Sequence, residues 1–381
     1  MGLVERLTYI GHPRLRGDVA WAANARAFHR SLPDYVPTPL ITLPHLASSV
    51  EIGRLLVKSE VGRFGLPSFK ILGASYATAV TVQRFLREYG EEPALTAESL
   101  RTALSRVGEA ATPTLSTATD GNHGRAVARA AQWLGIDAKV FVPSSVSKTA
   151  QQAIIDEGAT LQILPGDYDE AVEVARSFAA STPNVLLVQD TSWPGYHDVP
   201  ELIVNGYTTL FDELLEQADR TQPLLLVVPI GVGSLAMAAL QFAASQTQVS
   251  VLGVEPDVAP SVTTSLLAGA IVSVATRPTI MAGLNCGTIS YDAWPWLRDG
   301  LSASVTVNDV EVAGAVHDLA RAGVDSGPCG AATLAGLRVA AADEPMRDAL
   351  KLDPETSVIL LSTESRSANP LPDGGLLEED K

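Results

Sequence analysis

A glycine turn in the second half of the chain has the residue types of an anion-binding loop. It follows an apolar run typical of a buried strand and precedes an alanine-rich segment that predicts a helix. Glycine tolerates left-handed backbone angles, and the first N–H groups of a helix have no partner within it, so the turn can hold a phosphate. A tight turn without a ligand explains the pattern equally well. Its residues are Gly231, Val232, Gly233 and Ser234.

Lys70 is a candidate nucleophile near the start of a predicted helix. Most lysines are solvated surface charges, but Phe69 and Ile71 flank this one and favour its burial. Burial and a helix start both disfavour the charged ammonium, and the neutral amine is the form that condenses with an aldehyde. Lys70 could therefore form a Schiff base with a carbonyl compound.

A loop with an acid, an amide and an imidazole joins a predicted strand to a predicted helix. Its backbone N–H groups and the Thr119 hydroxyl could hold a carboxylate, while Asn122 could donate to a phenolic oxygen. Asp120 would then be a carboxylate placed over the reacting carbons of the bound ligand. His123 is either a catalytic base or, as we favour, an ordinary helix-start residue. An N-cap turn without a ligand is the structural alternative. The loop consists of Thr119, Asp120, Gly121, Asn122, His123 and Gly124.

Two further polar side chains come at the ends of predicted strands. Asp190 ends one such strand and Ser362 ends the last one. Ligands of parallel α/β sheets bind at the carboxyl ends of strands, so both are candidates. A hydroxyl at Ser362 could face a ring nitrogen and leave it unprotonated. A solvated loop acid and an ordinary strand-end serine are the alternatives.

Alternating strands and helices must position these residues. From about residue 113 onward, short apolar runs alternate with helical patterns, which indicates an α/β fold with parallel sheets covered by helices. The proline-bearing run 37–43 predicts an extended edge segment. Gly135 predicts the end of one helix, and Asn308 or Asp309 the start of another.

Composition excludes several classes of function. The net charge of −16 argues against nucleic acid and anionic membranes as partners. We see no signal peptide and no apolar run of membrane-spanning length, which predicts a cytoplasmic protein. Cys286 and Cys329 lack metal-like spacing and are expected to be buried thiols. The six histidines show no metal motif, so no metal site is expected.

Taken together, the candidate residues resemble those of pyridoxal-phosphate (PLP) enzymes of fold type II. Such enzymes have an early lysine, then an Asn-Gly-type loop, then a glycine-rich phosphate loop and finally a strand-end serine. The resemblance implies that Lys70 carries PLP, that Asn122 contacts its ring hydroxyl, and that residues 231–234 hold its phosphate. It also implies that Ser362 faces the pyridine nitrogen.

Within that fold, the chain resembles the diaminopropionate ammonia-lyase family. Asp120 is the discriminating position, because the related Ser/Thr dehydratases usually carry a Ser or Ala-type residue there. The resemblance implies a homodimer whose small domain, residues 75–190, is inserted in a PLP-binding domain of residues 1–74 and 191–381. The matching stretches are residues 28–33, 35–40, 63–76, 118–125, 188–196, 279–287 and 326–332.

The resemblance implies elimination of ammonia from 2,3-diaminopropionate, which gives aminoacrylate and then pyruvate. Lys70 would take the Cα proton of the L-isomer, and Asp120 that of the D-isomer. Asp120 and Asp190 would bind the β-ammonium group and supply acid. The substrate-binding residues implied are Thr119, Asp120, Gly121, His123 and Asp190.

Two departures from the family pattern favour an alternative PLP reaction, such as Ser/Thr dehydration or β-replacement. Asn285 stands where a small residue is expected, and Ser365 stands where the family continues with glycine. Two alternatives of other classes are a non-catalytic binding protein and a nicotinamide-dependent dehydrogenase. The dehydrogenase would need Ala236 and Glu255 to complete a dinucleotide pattern, and it would leave Lys70 without a role.

Overall fold

The computed structural model describes residues 6–15, 24–108, 111–219 and 222–372. Its packing divides the chain into two compact units. The larger unit comprises residues 1–21, 37–62 and 210–381, and the smaller unit comprises residues 22–36 and 63–209. The domain bounds expected from the family resemblance stay a prediction, because compact packing does not show that a segment folds as a domain.

Within the described residues, strands and helices alternate as the sequence predicts. The strands are β1 (Thr8–Ile10), β2 (Leu40–Thr42), β3 (Arg54–Ser59), β4 (Thr114–Ala118), β5 (Asp137–Pro143), β6 (Thr160–Leu164), β7 (Val185–Leu187), β8 (Leu224–Pro229), β9 (Val249–Pro256), β10 (Ala303–Val307) and β11 (Ser357–Ser362). The helices are α1 (Asn24–Ser31), α2 (Pro44–Ser49), α3 (Lys70–Glu88), α4 (Ala97–Val107), α5 (Asn122–Leu134), α6 (Lys148–Asp156), α7 (Tyr168–Ser181), α8 (Asp198–Gln217), α9 (Ser234–Ser245), α10 (Ser261–Ala268), α11 (Ala293–Gly300), α12 (Asp309–Arg321), α13 (Pro328–Ala342) and α14 (Glu344–Leu350).

The larger unit contains a seven-stranded sheet in the order β1-β10-β9-β8-β11-β3-β2. Its five inner strands are parallel, and the two edge strands β1 and β2 are antiparallel to their neighbours. The predicted edge segment is confirmed as β2, since its prolines cannot donate to a central ladder. Helix α13, whose side chains are mostly buried, packs on β8, β10 and β11 and forms the core with them.

The smaller unit contains a four-stranded sheet in the order β6-β5-β4-β7, and all of its pairs are parallel. Helix α5 packs on β4 and β5, and helix α7 packs on β4, β5 and β7. Because β4 and β7 are parallel neighbours, their carboxyl ends lie at the same edge. The segments that follow them carry Asp120 and Asp190, so the sheet brings these two acids together.

The α/β fold with mostly parallel sheets flanked by helices is confirmed. In the part of the chain that the structure describes, no helix combines the length and the apolar character that a membrane crossing requires.

Candidate active site

Lys70 is the first residue of α3 and forms an ion pair within the smaller unit. Its Nζ donates to Asp190 Oδ2 at 2.5 Å, while its backbone N–H donates to Ser68 Oγ at 3.2 Å. The Lys70 side chain is 21% exposed and that of Asp190 is 6% exposed. A short contact between two shielded charges is a strong charge-assisted hydrogen bond.

Asp190 is held in the ionised form by its neighbours. Tyr168 Oη donates to Asp190 Oδ1 at 3.3 Å, and Tyr168 in turn accepts from Gln189 Nε2 at 2.8 Å. Burial opposes ionisation, but His123, Lys70 and the hydrogen bonds from Lys70 and Tyr168 hold the pKa of Asp190 well below its usual value. The carboxylate is therefore charged across the physiological range.

Asp120 has the opposite behaviour, although it lies near the same groups. It follows β4 and precedes Gly121, whose φ of 143° turns the chain into α5. Burial, together with the negative charge of Asp190, raises the pKa of Asp120 to about 7, and Lys70 offsets only part of that rise. Asp120 can therefore both accept and give a proton near neutral pH.

His123 is buried and has one nitrogen without a partner. Nε2 lies 2.8 Å from the Val188 carbonyl oxygen, so Nε2 carries the proton and donates it. Nδ1 finds no hydrogen-bond partner and lies 3.8 Å from Asp190 Oδ2. Burial lowers the pKa of His123 more than Asp190 raises it, which favours the neutral ring.

Thr119 organises the loop that carries these groups. Its Oγ1 accepts from the N–H groups of Gly121 and Gly124, at 2.9 and 3.0 Å. A Cβ at Gly124 would lie 2.3 Å from Thr119 Cγ2, so only glycine permits this approach. The Thr119 hydroxyl keeps its own proton for donation, and Asn122 is the first residue of α5.

In the larger unit, the glycine turn leads from β8 into α9. Gly233 has φ of 102°, and α9 begins there without a side-chain cap. A Cβ at Gly231 would lie 2.9 Å from the Gly283 carbonyl oxygen and 3.2 Å from Cys286 Sγ. The turn therefore combines a left-handed backbone with a helix start, the combination expected of an anion-binding loop.

Ser362, the last residue of β11, is buried in the same unit. Its Oγ donates to Ser326 Oγ at 2.8 Å. Ser326 precedes α13 and lies in one of the stretches that carry the family resemblance, but the sequence suggested no role for it. Their pairing places two hydroxyls at the carboxyl end of β11.

Comparison with known proteins gives a consistent result. The sequence pattern of the family described as "Pyridoxal-phosphate dependent enzyme" matches residues 32–363. The diaminopropionate ammonia-lyase of Salmonella typhimurium is 34% identical over 368 residues, which cover 89% of this chain and 87% of that protein. The holo crystal structure of the Escherichia coli enzyme has a TM-score of 0.85 at 31% identity and covers 95% of this chain and 94% of that one.

The chain belongs to the PLP-dependent enzymes, in the diaminopropionate ammonia-lyase family. Its cofactor is pyridoxal 5′-phosphate, as the resemblance implied. Another solved structure of the E. coli enzyme holds an aminoacrylate–PLP reaction intermediate and has a TM-score of 0.82 at 31% identity, with 95% of this chain and 94% of that one covered. Lys70 had no role in the dehydrogenase alternative, and these matches lend that alternative no support.

The geometry of this chain fits the cofactor of its family. An amine for the aldehyde is present at Lys70, and a glycine turn that any Cβ would obstruct is present at Gly231. A buried hydroxyl for the ring nitrogen is present at Ser362, which is 1% exposed. The roles assigned to individual residues stay predictions.

The two departures from the family pattern have different surroundings. Asn285 Oδ1 is buried without a hydrogen-bond partner. Ser365 is buried, and its Oγ lies 2.6 Å from Ser367 Oγ. The Ser365 carbonyl oxygen would lie 2.6 Å from a Cβ at Gly327, so the backbone of this segment packs against the start of α13.

Sequence reasoning missed Tyr168, Gln189 and Ser326. Gln189 Oε1 accepts from the Ala118 N–H at 2.9 Å, so it ties the end of β7 to the end of β4. It stands next to Asp190 in a family-like stretch, which was the signal available for it. Tyr168 gave no signal, because its hydroxyl reaches Asp190 only through the packing of α7.

Proposed function

We propose that this chain eliminates ammonia from 2,3-diaminopropionate, a small amino acid, giving pyruvate and ammonia. Asp120 carries the proposal, because its carboxyl lies in the Lys70–Asp190 cluster and has a pKa of about 7. Dehydration of serine or threonine needs acid for a hydroxyl, whereas an acidic pair suits a cationic amine. Two relatives that each cover most of the chain bear the name of this activity.

The cofactor contacts that the family resemblance implies are proposed for this chain residue by residue. Lys70 would bind it covalently, and Asn122 would contact its ring hydroxyl. Residues 231–234 would bind its phosphate, and Ser362 its ring nitrogen. When bound, PLP supplies the electron sink that makes the Cα proton removable. The chain's own residues must then move protons and hold the substrate.

Asp190 would bind the substrate β-ammonium group. Its carboxylate is 6% exposed at the side chain and pairs with Lys70 Nζ. The pKa of Asp190 is held well below its usual value, so the carboxylate stays ionised near neutral pH. A β-ammonium group forms a charge-assisted hydrogen bond with it, which is stronger than the bond that the neutral hydroxyl of serine can form.

Asp120 and Lys70 would carry out the proton transfers. Lys70, once released by the substrate, would take the Cα proton of the L-isomer, and ionised Asp120 would take that of the D-isomer. The β-nitrogen departs as neutral ammonia, which is a far better leaving group than an amide ion. Asp120 in its protonated form keeps that nitrogen protonated until the bond breaks.

The decisive assay uses PLP-loaded protein with D- and L-2,3-diaminopropionate, L-serine and L-threonine, and measures keto acid and ammonia. We expect release from diaminopropionate in preference to the hydroxy amino acids, and loss of release in Lys70→Ala. Asp120→Asn should lower the D-isomer activity more than the L-isomer activity, because only the D-isomer also needs Asp120 as the base. Equal losses for both isomers would contradict the two-base scheme, and faster turnover of serine or threonine would contradict the substrate.

Another PLP elimination or β-replacement is the second candidate, and Asn285 favours it. The Asn285 amide oxygen is buried without a hydrogen-bond partner, at a position where the family pattern has a small residue. The threonine dehydratase of Mycobacterium leprae is 33% identical over 225 residues, which cover 57% of this chain and 50% of that protein. The four-substrate assay separates the two candidates.

A cytoplasmic homodimer is the proposed state of the protein. Family membership supports it, together with the charge of −16, which disfavours anionic surfaces. Sedimentation of the PLP-loaded protein should give twice the mass of the chain, and a monomer would contradict the assembly.

A further inference from the structure

The hydroxyls of Ser362 and Ser326 form a hydrogen bond with each other. Ser362 Oγ donates to Ser326 Oγ at 2.8 Å, and Ser326 Oγ donates onward to the Gly327 carbonyl oxygen at 3.4 Å. The first bond is of normal length and the second is long and weak. In this arrangement the proton of Ser362 points to Ser326, and only the long bond to Gly327 opposes the reverse arrangement.

Close packing confines this pair. Ser326 is fully buried and Ser362 is 1% exposed. A Cβ at Gly330 would lie 2.6 Å from Ser326 Oγ and 3.0 Å from Ser362 Cα. Glycine at the first turn of α13 is therefore what allows the helix to approach β11 closely enough for the two serines to meet.

A ring nitrogen at Ser362 can be satisfied in two ways, and both use Ser326. A protonated nitrogen donates to Ser362 Oγ and leaves the existing chain of hydrogen bonds unchanged. An unprotonated nitrogen needs the Ser362 proton, and the Ser362 oxygen must then accept one. Ser326 is the available donor, because turning its proton to Ser362 gives up only the long bond to Gly327.

We propose that Ser326 is a positioning residue of the cofactor site, which acts through Ser362 as the second hydroxyl of a reversible relay. The inference rests on the role of Ser362 assigned under the proposed function. Ser326 has no direct contact with the cofactor in this scheme. It fixes the rotation of the Ser362 hydroxyl. Ser326 accepts a hydrogen bond from Ser362 when the ring nitrogen is protonated, and it donates one to Ser362 when the ring nitrogen is unprotonated.

The test is a double-mutant cycle on the affinity for PLP, measured without substrate. Apo forms of the wild type, Ser326→Ala, Ser362→Ala and the double variant are titrated with PLP, with the absorbance of the bound cofactor as the signal. We expect Ser326→Ala to weaken PLP binding by about 3- to 10-fold, the loss of one hydrogen bond. In the Ser362→Ala background the same change should have no further effect.

A structural role for Ser326 would give a different pattern. Loss of packing at the start of α13 would weaken PLP binding equally in both backgrounds, and that result, or no loss at all from Ser326→Ala, would overturn the relay. The nitrogen-15 resonance of ring-labelled PLP gives a second readout, which should move in Ser326→Ala. Ser302→Ala is the control, because this buried serine accepts from Val251 elsewhere in the unit, and its PLP affinity should be unchanged.

The outcome is separable from that of the proposed function. If Ser362→Ala binds PLP as the wild type does, the assignment of Ser362 to the ring nitrogen fails and the relay fails with it. Because no substrate is present, inactivity towards diaminopropionate leaves the titration result unaffected. Circular dichroism of each apo variant verifies that it is folded.

Discussion

At the scale of single residues, Asp120 and Asp190 are two carboxyl groups with different surroundings. Asp190 receives a hydrogen bond from the Lys70 ammonium and another from the Tyr168 hydroxyl. Burial and the negative charge of Asp190 oppose the ionisation of Asp120 and raise its pKa, and the positive charge of Lys70 offsets only part of that rise. Because their environments shift the two pKa values in opposite directions, Asp190 is suited to act as a permanent negative charge and Asp120 to transfer a proton.

Asp120→Asn should stabilise the cofactor-free protein at high pH. The folded pKa of about 7 lies above the ordinary aspartate value of 3.8, so the folded state binds the proton more tightly and loses stability as pH rises through that interval. We expect a gain of roughly 1–3 kcal/mol at pH 8 and almost none at about pH 2.5, where Asp120 is protonated in both states. Urea unfolding at both pH values measures it, and a gain independent of pH would contradict the raised pKa.

Asp190→Asn should have the opposite effect. The pKa of Asp190 is lowered on folding, so its carboxylate stabilises the fold at neutral pH and this contribution disappears as pH falls. We expect a loss of about 1–3 kcal/mol at pH 7, because the Lys70 ammonium loses the charged partner that it contacts at 2.5 Å, and a smaller loss below about pH 4.

Asp198→Asn is the matched control for that change in the smaller unit. Asp198 pairs with Arg84 at 3.5 Å, but its side chain is 81% exposed. Exposed pairs contribute little, so the unfolding midpoint should hardly move. If both variants behaved alike, the Lys70–Asp190 pair would not be the buried interaction that the structure describes.

At the scale of helices and strands, the local sequence predicted where some helices begin and end as well as which segments are helical. Gly135 ends α5 with φ of 71°, as expected of a C-terminal glycine. Asn308 begins α12, where its side chain accepts from the Glu311 N–H while the Glu311 carboxylate accepts from the Asn308 N–H. Both devices act within a few residues, which is why sequence alone reveals them.

Contacts made by packing were outside the reach of sequence. Ser326 and Ser362 are 36 positions apart and meet only because α13 packs on β11. Tyr168 and Asp190 are 22 positions apart and meet because α7 packs on β7. The sequence around Ser362 does not indicate Ser326, and the sequence around Asp190 does not indicate Tyr168. Sequence analysis therefore predicted the two strand-end residues but not the residues that form hydrogen bonds with them.

Gly233→Ala tests whether the turn before α9 needs glycine. Its φ of 102° is a region that L-residues rarely adopt, and an added Cβ would lie 3.0 Å from Leu297 Cδ1. We expect a loss of roughly 1–3 kcal/mol in urea unfolding, and weaker PLP binding because the turn is distorted.

Gly314→Ala is the control for that prediction. Gly314 lies inside α12, and a Cβ there would meet nothing within 4 Å. Alanine should stabilise the helix by about 0.5–1 kcal/mol and leave PLP affinity unchanged. A stabilising effect of Gly233→Ala as well would show that the turn does not require a left-handed residue.

At the scale of the whole molecule, each unit is assembled from segments that are distant in sequence. In the larger unit, residues 37–62 must join a segment that begins at residue 210. Lys58, at 0% exposure, provides one such connection, because its Nζ donates to Glu213 Oε2 at 2.7 Å and to Gln217 Oε1 at 2.9 Å. It also donates to the Thr38 carbonyl oxygen at 2.8 Å.

Lys58→Met should therefore destabilise the larger unit strongly. The change removes the Lys58 ammonium from beside the buried Glu213 carboxylate, for which a loss of about 3–5 kcal/mol is expected in urea unfolding followed by circular dichroism. The double variant Lys58→Met/Glu213→Leu should recover at least half of that loss, since it removes the buried carboxylate as well. Arg54→Met is the control on the same strand, because Arg54 pairs with Asp219 at 3.5 Å and both side chains are about half exposed. An equal loss in Lys58→Met and Arg54→Met, or a double variant less stable than Lys58→Met, would mean that the buried pair does not join the two segments.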